Sequence, residues 1–201
     1  VHHNISIWRE AYPSDGFVYW FFWNMSGPWL CNHIWEHYLY TKDIDFLKKY
    51  YPILKGSATF CSEWLVENSE GELVTPVSTS PENAYLMPDG ISASVCEGST
   101  MDIAIIRSLF SNTINASKIL QTAPLFCAEL TQKVNKLKKY QIGSKGQLLE
   151  WDKEYMENEP QHRHVSHLFG LYPGCDITDN TPELFDAARK SLNARGNKTT
   201  G

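Results

Sequence analysis

Apolar residues recur at helical spacing along most of the chain, and the alternation typical of β-strands is nearly absent. The residues before Pro28 follow no sustained period and are interpreted as loop. A first helix is predicted from Pro28, because proline suits the first turn of a helix. Two more are predicted over residues 43–51 and 53–67, separated by Pro52, which has no amide hydrogen to donate and should kink or break the helix.

The second half of the chain carries further helix signals. Ser99 or Thr100 should cap a helix that has Asp102 in its first turn, where a carboxylate is favoured. This helix is predicted over residues 100–120, and the pattern predicts further helices over residues 124–138, 165–172 and 181–196. The sum is about seven helices joined by alternately short and long connections, which indicates an all-α fold, either a bundle or part of an α/α toroid.

Two long connections, residues 68–98 and 140–161, interrupt the helices, and loops of this length inside a domain are more often functional than not. The first of them contains Glu82 within the run Ser-Thr-Ser-Pro-Glu-Asn, residues 78–83, where packing calls for no carboxylate. Glu82 is therefore either a solvated acidic residue of a surface loop or a catalytic group.

Composition narrows the function classes. With 201 residues the chain is one domain or part of one, its net charge is −5, and its basic residues are scattered, which argues against a nucleic-acid partner. No apolar run reaches the length of about 18 residues that a membrane span needs. The five cysteines include no C-x-x-C pair, so neither a zinc module nor a dense disulfide framework is indicated. Aromatic residues make up 13 % and suit either a core or a sugar-binding platform.

Two histidine-rich stretches are candidate sites. His162, Arg163, His164 and His167 form a dense polar run that could hold a metal or line a sugar site, and Arg163 would oppose a bound cation. Residues 33–37 match the H-x-x-E-H zinc pattern, with both histidines on one helical face. The competing interpretation of the second stretch is an amphipathic helix with packed histidines, and it is favoured because short motifs match by chance.

A last cluster, residues 2–9 (His-His-Asn-Ile-Ser-Ile-Trp-Arg), offers donors, an aromatic ring and a cation together. Taken in order, these stretches resemble the catalytic domain of glycoside hydrolase family 95. The matching segments are residues 2–9, 27–38, 51–56, 78–83, 147–151, 162–174 and 187–192. The ordered set covers most of the chain and is specific, although any single segment is weak.

The resemblance implies an (α/α)6 barrel that hydrolyses terminal α-L-fucosides, or α-L-galactosides in some relatives, with inversion and without a metal or cofactor. Glu82 matches the family's general acid. Arg163 and His164 match residues that contact the sugar, and His3, Asn4 and Trp8 are carried over as further contacts of the glycan substrate. Ser6 stands where relatives commonly carry Asp, so no polar role is carried over to it.

In the family, an Asn-x-Asn pair upstream and an Asp downstream activate the water, and neither segment is found in residues 1–201. Residues 1–201 are therefore expected to be a partial catalytic domain, truncated at both ends, that needs the remainder of its own domain for activity. Alone it should be inactive and poorly soluble, because unpaired helix faces would be exposed. The resemblance favours a secreted or periplasmic location over a cytoplasmic one, and the alternative function is non-catalytic carbohydrate binding.

Overall fold

The computed structural model describes residues 6–10 and 16–197, and five α-helices form most of the core in this part of the chain. They are α1 (Ser26–Thr41), α2 (Ile44–Trp64), α3 (Thr100–Leu120), α4 (Pro124–Lys136) and α5 (Pro182–Arg195). Two 3-10 helices, Val18–Trp20 and Ser166–Gly170, accompany them. About seven helices were expected, and the predicted helix over residues 165–172 is the shorter 3-10 helix.

The predicted break at Pro52 is wrong, because α2 runs through it without interruption. Leu47, Tyr51 and Leu54 are buried at helical spacing on one side of α2, whereas Pro52 lies on the exposed side. There, water can bind the carbonyl that proline leaves without a partner. The packing of the buried stripe therefore offsets the loss of one helical hydrogen bond. The helix begins at Ile44, one residue after the predicted start, and Asp43 caps it: its carboxylate accepts a hydrogen bond from the amide of Phe46 at 2.8 Å.

Helix α3 is the centre of the fold. It contacts α1, α2, α4 and the second 3-10 helix, and its first turns are buried on every side, from Thr100 to Ile106. Most of these residues are apolar, as expected of helix turns that lie in the interior. Ser99 caps it, accepting from the amide of Asp102 at 3.4 Å. Asp102 is thus a carboxylate placed inside the core, not on its surface.

The long connections contain short strands, which the sequence pattern did not predict. Seven two-residue strands are present in the described residues: β1 (Val66–Glu67), β2 (Leu73–Val74), β3 (Ser78–Thr79), β4 (Tyr85–Leu86), β5 (Ser92–Ala93), β6 (Val95–Cys96) and β7 (Met156–Glu157). Strand β3 pairs with β6, and β4 pairs with both β5 and β7, all antiparallel. Runs of two residues are too short to show an alternating pattern. The pairing of β4 with β7 joins the two long connections.

In a smaller apolar cluster, α5 packs on the second long connection and on the second 3-10 helix. It comprises Leu148, Leu168, Ile177, Ala187 and Ala188.

Among the described residues, no helix is long and apolar enough to span a membrane. All five cysteines are free thiols, and three of them, Cys31, Cys61 and Cys96, are buried, while Cys127 is half-buried and Cys175 exposed.

Candidate active site

Glu82 lies at the tip of a tight turn that follows β3. The amide of Asn83 donates to the carbonyl of Ser80 at 2.7 Å, which closes the turn over Pro81 and Glu82. The Glu82 side chain is 31 % exposed. The turn therefore presents the carboxylate outward, while Ser80 and Asn83, at its two ends, are buried.

The structure brings Arg163 and His164 to this carboxylate across some eighty positions of sequence. Arg163 Nη2 donates to Glu82 Oε2 at 2.7 Å, and His164 Nε2 lies 3.3 Å from the same oxygen. The Arg163 side chain is 56 % and the His164 side chain 41 % exposed, so the cluster is open to a ligand. Three groups chosen from sequence thus meet at one point, with Arg163 donating to one Glu82 oxygen and the His164 ring within hydrogen-bond distance of the same oxygen.

A pocket of about 360 Å³ adjoins this cluster. Its lining is Trp23, Trp29, Pro81, Glu82, Met101, His164, Val165, Ser166, Phe169, Tyr172 and Pro173. The rings of Trp23 and Trp29 meet edge to face at 5.9 Å between centroids. An aromatic wall facing a few polar groups is typical of a small-ligand site, and the C–H face of a sugar ring packs well on such rings.

A buried carboxylate, Asp102, holds the pocket wall and the root of the turn. Its Oδ1 accepts from the indole nitrogen of Trp23 at 2.9 Å, and its Oδ2 accepts from Ser78 at 2.7 Å and Thr75 at 3.3 Å. Burial raises the pKa of Asp102 to about 6, against the opposing effect of these hydrogen bonds. Asp102 therefore fixes the Trp23 ring from below.

A second buried carboxylate, Glu150, holds the turn itself. Its carboxylate accepts hydrogen bonds from the Ser80 hydroxyl at 2.6 Å, from the side-chain amide of Asn83 at 3.1 Å and from Arg195 Nη2 at 2.5 Å. Burial raises the pKa of the Glu150 carboxyl, while Arg195 and the two turn residues oppose that rise. Arg195 is the last residue of α5, so Glu150 links the C-terminal end of that helix to the turn that carries Glu82.

The histidines of residues 162–167 do not converge on one point. The His162 ring accepts from the amide of His164 at 3.1 Å, and burial lowers the His162 pKa. His167 points to the other side, with its Nδ1 at 3.6 Å from Glu150 Oε2, and burial lowers its pKa to about 3, which keeps the ring neutral. Ser166 donates to the carbonyl of Pro81, so this segment is bound directly to the turn.

The zinc hypothesis finds no geometric support. Within residues 6–10 and 16–197, no three side chains of His, Cys, Asp or Glu are grouped so that they could hold a metal. His33 and His37 lie on the exposed side of α1, and the His37 ring packs on Phe46 at 3.8 Å between centroids.

Of the three N-terminal candidates, only Trp8 lies within the described residues. His3 and Asn4 lie outside the described residues, and Trp8 is 75 % exposed and does not belong to the pocket's described lining. Sequence reasoning also missed residues that the structure places at the site. It placed Asp102 only as a favourable carboxylate in the first turn of a helix, and it gave Arg195 no role. The available signals were Asp102 next to a run of apolar residues, 103–106, and Glu150 between leucine and tryptophan.

Known proteins match all or most of the length of this chain. The sequence profile described as the glycosyl hydrolase family 95 catalytic domain matches residues 1–201. The chain is 43 % identical over 205 aligned residues to alpha-L-fucosidase 2 of Arabidopsis thaliana, with all of this chain and 24 % of that protein covered. It is 32 % identical to the probable alpha-fucosidase A of Aspergillus niger, with 85 % of this chain and 22 % of that protein covered. The chain thus spans less than a quarter of the length of these relatives.

Proposed function

Because the chain belongs to the glycosyl hydrolase family 95 catalytic domain, we propose that it contributes the acid half of an α-L-fucosidase active site, with Glu82 as the proton donor. One observation carries this assignment. The Glu82 carboxylate stands at the rim of a pocket walled by Trp23 and Trp29, with Arg163 at 2.7 Å and His164 at 3.3 Å. The names of the relatives, which are fucosidases, support the substrate class.

In this proposal, Glu82 gives its proton to the glycosidic oxygen as the bond to the sugar breaks. Arg163 and His164 both contact Oε2, which leaves Oε1 as the oxygen that delivers the proton. An inverting glycosidase uses an acid and a base whose carboxyl groups are about 6.5–9.5 Å apart, with a water between the base and the anomeric carbon. Glu82 supplies the first of these two functions.

We propose that the base function comes from parts of the longer protein beyond these residues. The sequence holds no Asn-x-Asn pair, and the relatives are more than four times as long as the part that aligns. In this scheme residues 1–201 are one section of the catalytic (α/α)6 barrel. The remainder of the domain closes the barrel and completes the site.

The sugar itself would be held by two kinds of contact. Trp23 and Trp29 offer apolar ring surface for the sugar's C–H face. Arg163 and His164 offer N–H donors to its hydroxyl groups. Trp8, together with His3 and Asn4, stays a proposed further contact that the longer protein would have to bring to the pocket.

The test uses the full-length gene product and aryl glycosides. We expect hydrolysis of an aryl α-L-fucoside to exceed that of the matching α-L-galactoside, and the first product seen by proton NMR to be the β-anomer of L-fucose. Retention of the α-anomer would contradict inversion. Faster cleavage of the galactoside would reassign the substrate while leaving the role of Glu82 intact.

A further inference from the structure

The turn that carries Glu82 is fastened at both ends to one buried carboxylate. Ser80 and Asn83 flank the tip, and their side chains donate to Oε1 and Oε2 of Glu150 at 2.6 and 3.1 Å. Ser80 is fully buried and Asn83 nearly so. Because the two ends are attached to one rigid group, the orientation of Glu82 between them depends on where Glu150 lies.

Glu150 is in turn held by Arg195, whose guanidinium also reaches the segment before the histidines. Arg195 Nη2 donates to Glu150 at 2.5 Å. Its Nη1 contacts Glu157 of β7 and donates to the carbonyl of Pro160 at 2.9 Å. The residues that follow Pro160 lead directly to Arg163 and His164, so one buried cation anchors both segments whose side chains meet at Glu82.

We propose that Glu150, fixed by Arg195, is a positioning residue that sets the contact between Glu82 and the Arg163–His164 pair. This inference rests on the proposed function of Glu82 as the acid. Glu150 lies beneath the turn and does not face the pocket described above. A displacement of about 1 Å in a reacting group can cost about 100-fold in rate, so a support of this kind affects proton transfer without touching the sugar.

The test removes one attachment of the turn and leaves the buried ion pair in place. Replacing Glu150 by alanine would leave Arg195 without its main partner and could unfold the protein. Ser80→Ala deletes one hydroxyl and keeps Arg195 and Asn83 on Glu150. Ser117→Ala is the matched control, because Ser117 is an equally buried serine whose hydroxyl bonds Tyr51 at 2.5 Å, in the contact between α2 and α3.

In the full-length gene product, Ser80→Ala should lower kcat about 10-fold or more for a fucosyl oligosaccharide, whose leaving group needs a proton, with little change in KM. Cleavage of α-L-fucosyl fluoride, whose leaving group needs none, should stay within about 2-fold. Ser117→Ala should leave both rates unchanged. Where Glu82→Gln itself slows the oligosaccharide more than the fluoride, equal losses on both substrates in Ser80→Ala, or no loss on either, would overturn the positioning role.

A crystal structure of Ser80→Ala separates this inference from the assignment of the acid. The positioning role predicts that Glu82 Oε2 moves away from its 2.7 Å contact with Arg163. An unmoved carboxylate overturns the inference whatever the kinetics show. If instead Glu82 moves, but Glu82→Gln slows the fluoride and the oligosaccharide equally, the positioning holds and the proposed acid role fails.

Discussion

Replacing Arg195 by methionine removes the cation that the buried Glu150 carboxylate depends on. The two side chains are 3 % and 5 % exposed, and their ion pair is 2.5 Å long. Removing one partner of a buried ion pair typically costs about 3–5 kcal/mol, because the other charge stays in the interior without compensation. Methionine keeps most of the apolar stem of arginine, so the lost charge should dominate, and we expect a loss of that size.

A second replacement identifies the cause of the loss. Glu150→Gln in the Arg195→Met background should recover about half of it, because a neutral amide needs no cation and can still bond Ser80 and Asn83. The loss in the single variant should also shrink as the pH falls. Arg195 lowers the pKa of Glu150, so its removal raises the folded-state pKa further above the unfolded value. Protonation then stabilises the folded variant at lower pH.

Urea unfolding of the full-length gene product, followed by tryptophan fluorescence at pH 5 and pH 8, measures both effects. Arg189→Met is the control on the same helix. Arg189 is 67 % exposed and pairs with Asp186 on the surface, so its midpoint should not move. The reasoning is refuted if Arg189→Met and Arg195→Met lower the midpoint equally, or if Glu150→Gln deepens the loss instead of relieving it.

Three further predictions follow from the site. Burial raises the pKa of Asp102 to about 6 from 3.8, so between these values the folded protein holds a proton that the unfolded chain releases. Native stability relative to Asp102→Asn, measured by urea unfolding, should therefore rise by about 2 kcal/mol as the pH falls from about 7 to 4. His164→Ala removes contacts to the sugar and should slow the fucosyl fluoride and the oligosaccharide to similar extents, in contrast to Glu82→Gln. Metal analysis of the purified protein should find no stoichiometric zinc, since His33 and His37 lie on an exposed helix face. Stoichiometric zinc that is lost in His33→Ala would contradict this expectation.

The sequence predicted the helices best where a cap and a buried stripe coincide. Ser99 and Asp43 each precede a helix that begins as expected. The failure at Pro52 has a tertiary cause, because the stripe through Tyr51 and Leu54 is buried against neighbouring helices that no local pattern reveals. The short strands were missed because their pairing joins positions as distant as Tyr85 and Glu157.

The site shows a similar division. Glu82, Arg163 and His164 were selected from sequence by resemblance, and the structure brings the three side chains together. The buried residues that hold these three side chains in place could not be identified from the sequence in the same way. Asp102 lies in the first turn of α3 and Arg195 in the last turn of α5, where interaction with the helix dipole or with solvent is the ordinary interpretation. Only burial and long-range hydrogen bonds distinguish them.

The proton-donor role of Glu82 is tested most directly by comparing two substrates of the full-length gene product. Glu82→Gln keeps the size of the side chain but removes the acidic carboxyl proton that Glu82 would donate. We expect a loss of about 10²–10⁴-fold in kcat/KM for a natural fucosyl oligosaccharide, whose alkoxide leaves poorly, and a small loss for α-L-fucosyl fluoride. Equal losses on the two substrates would show that Glu82 does not donate the proton.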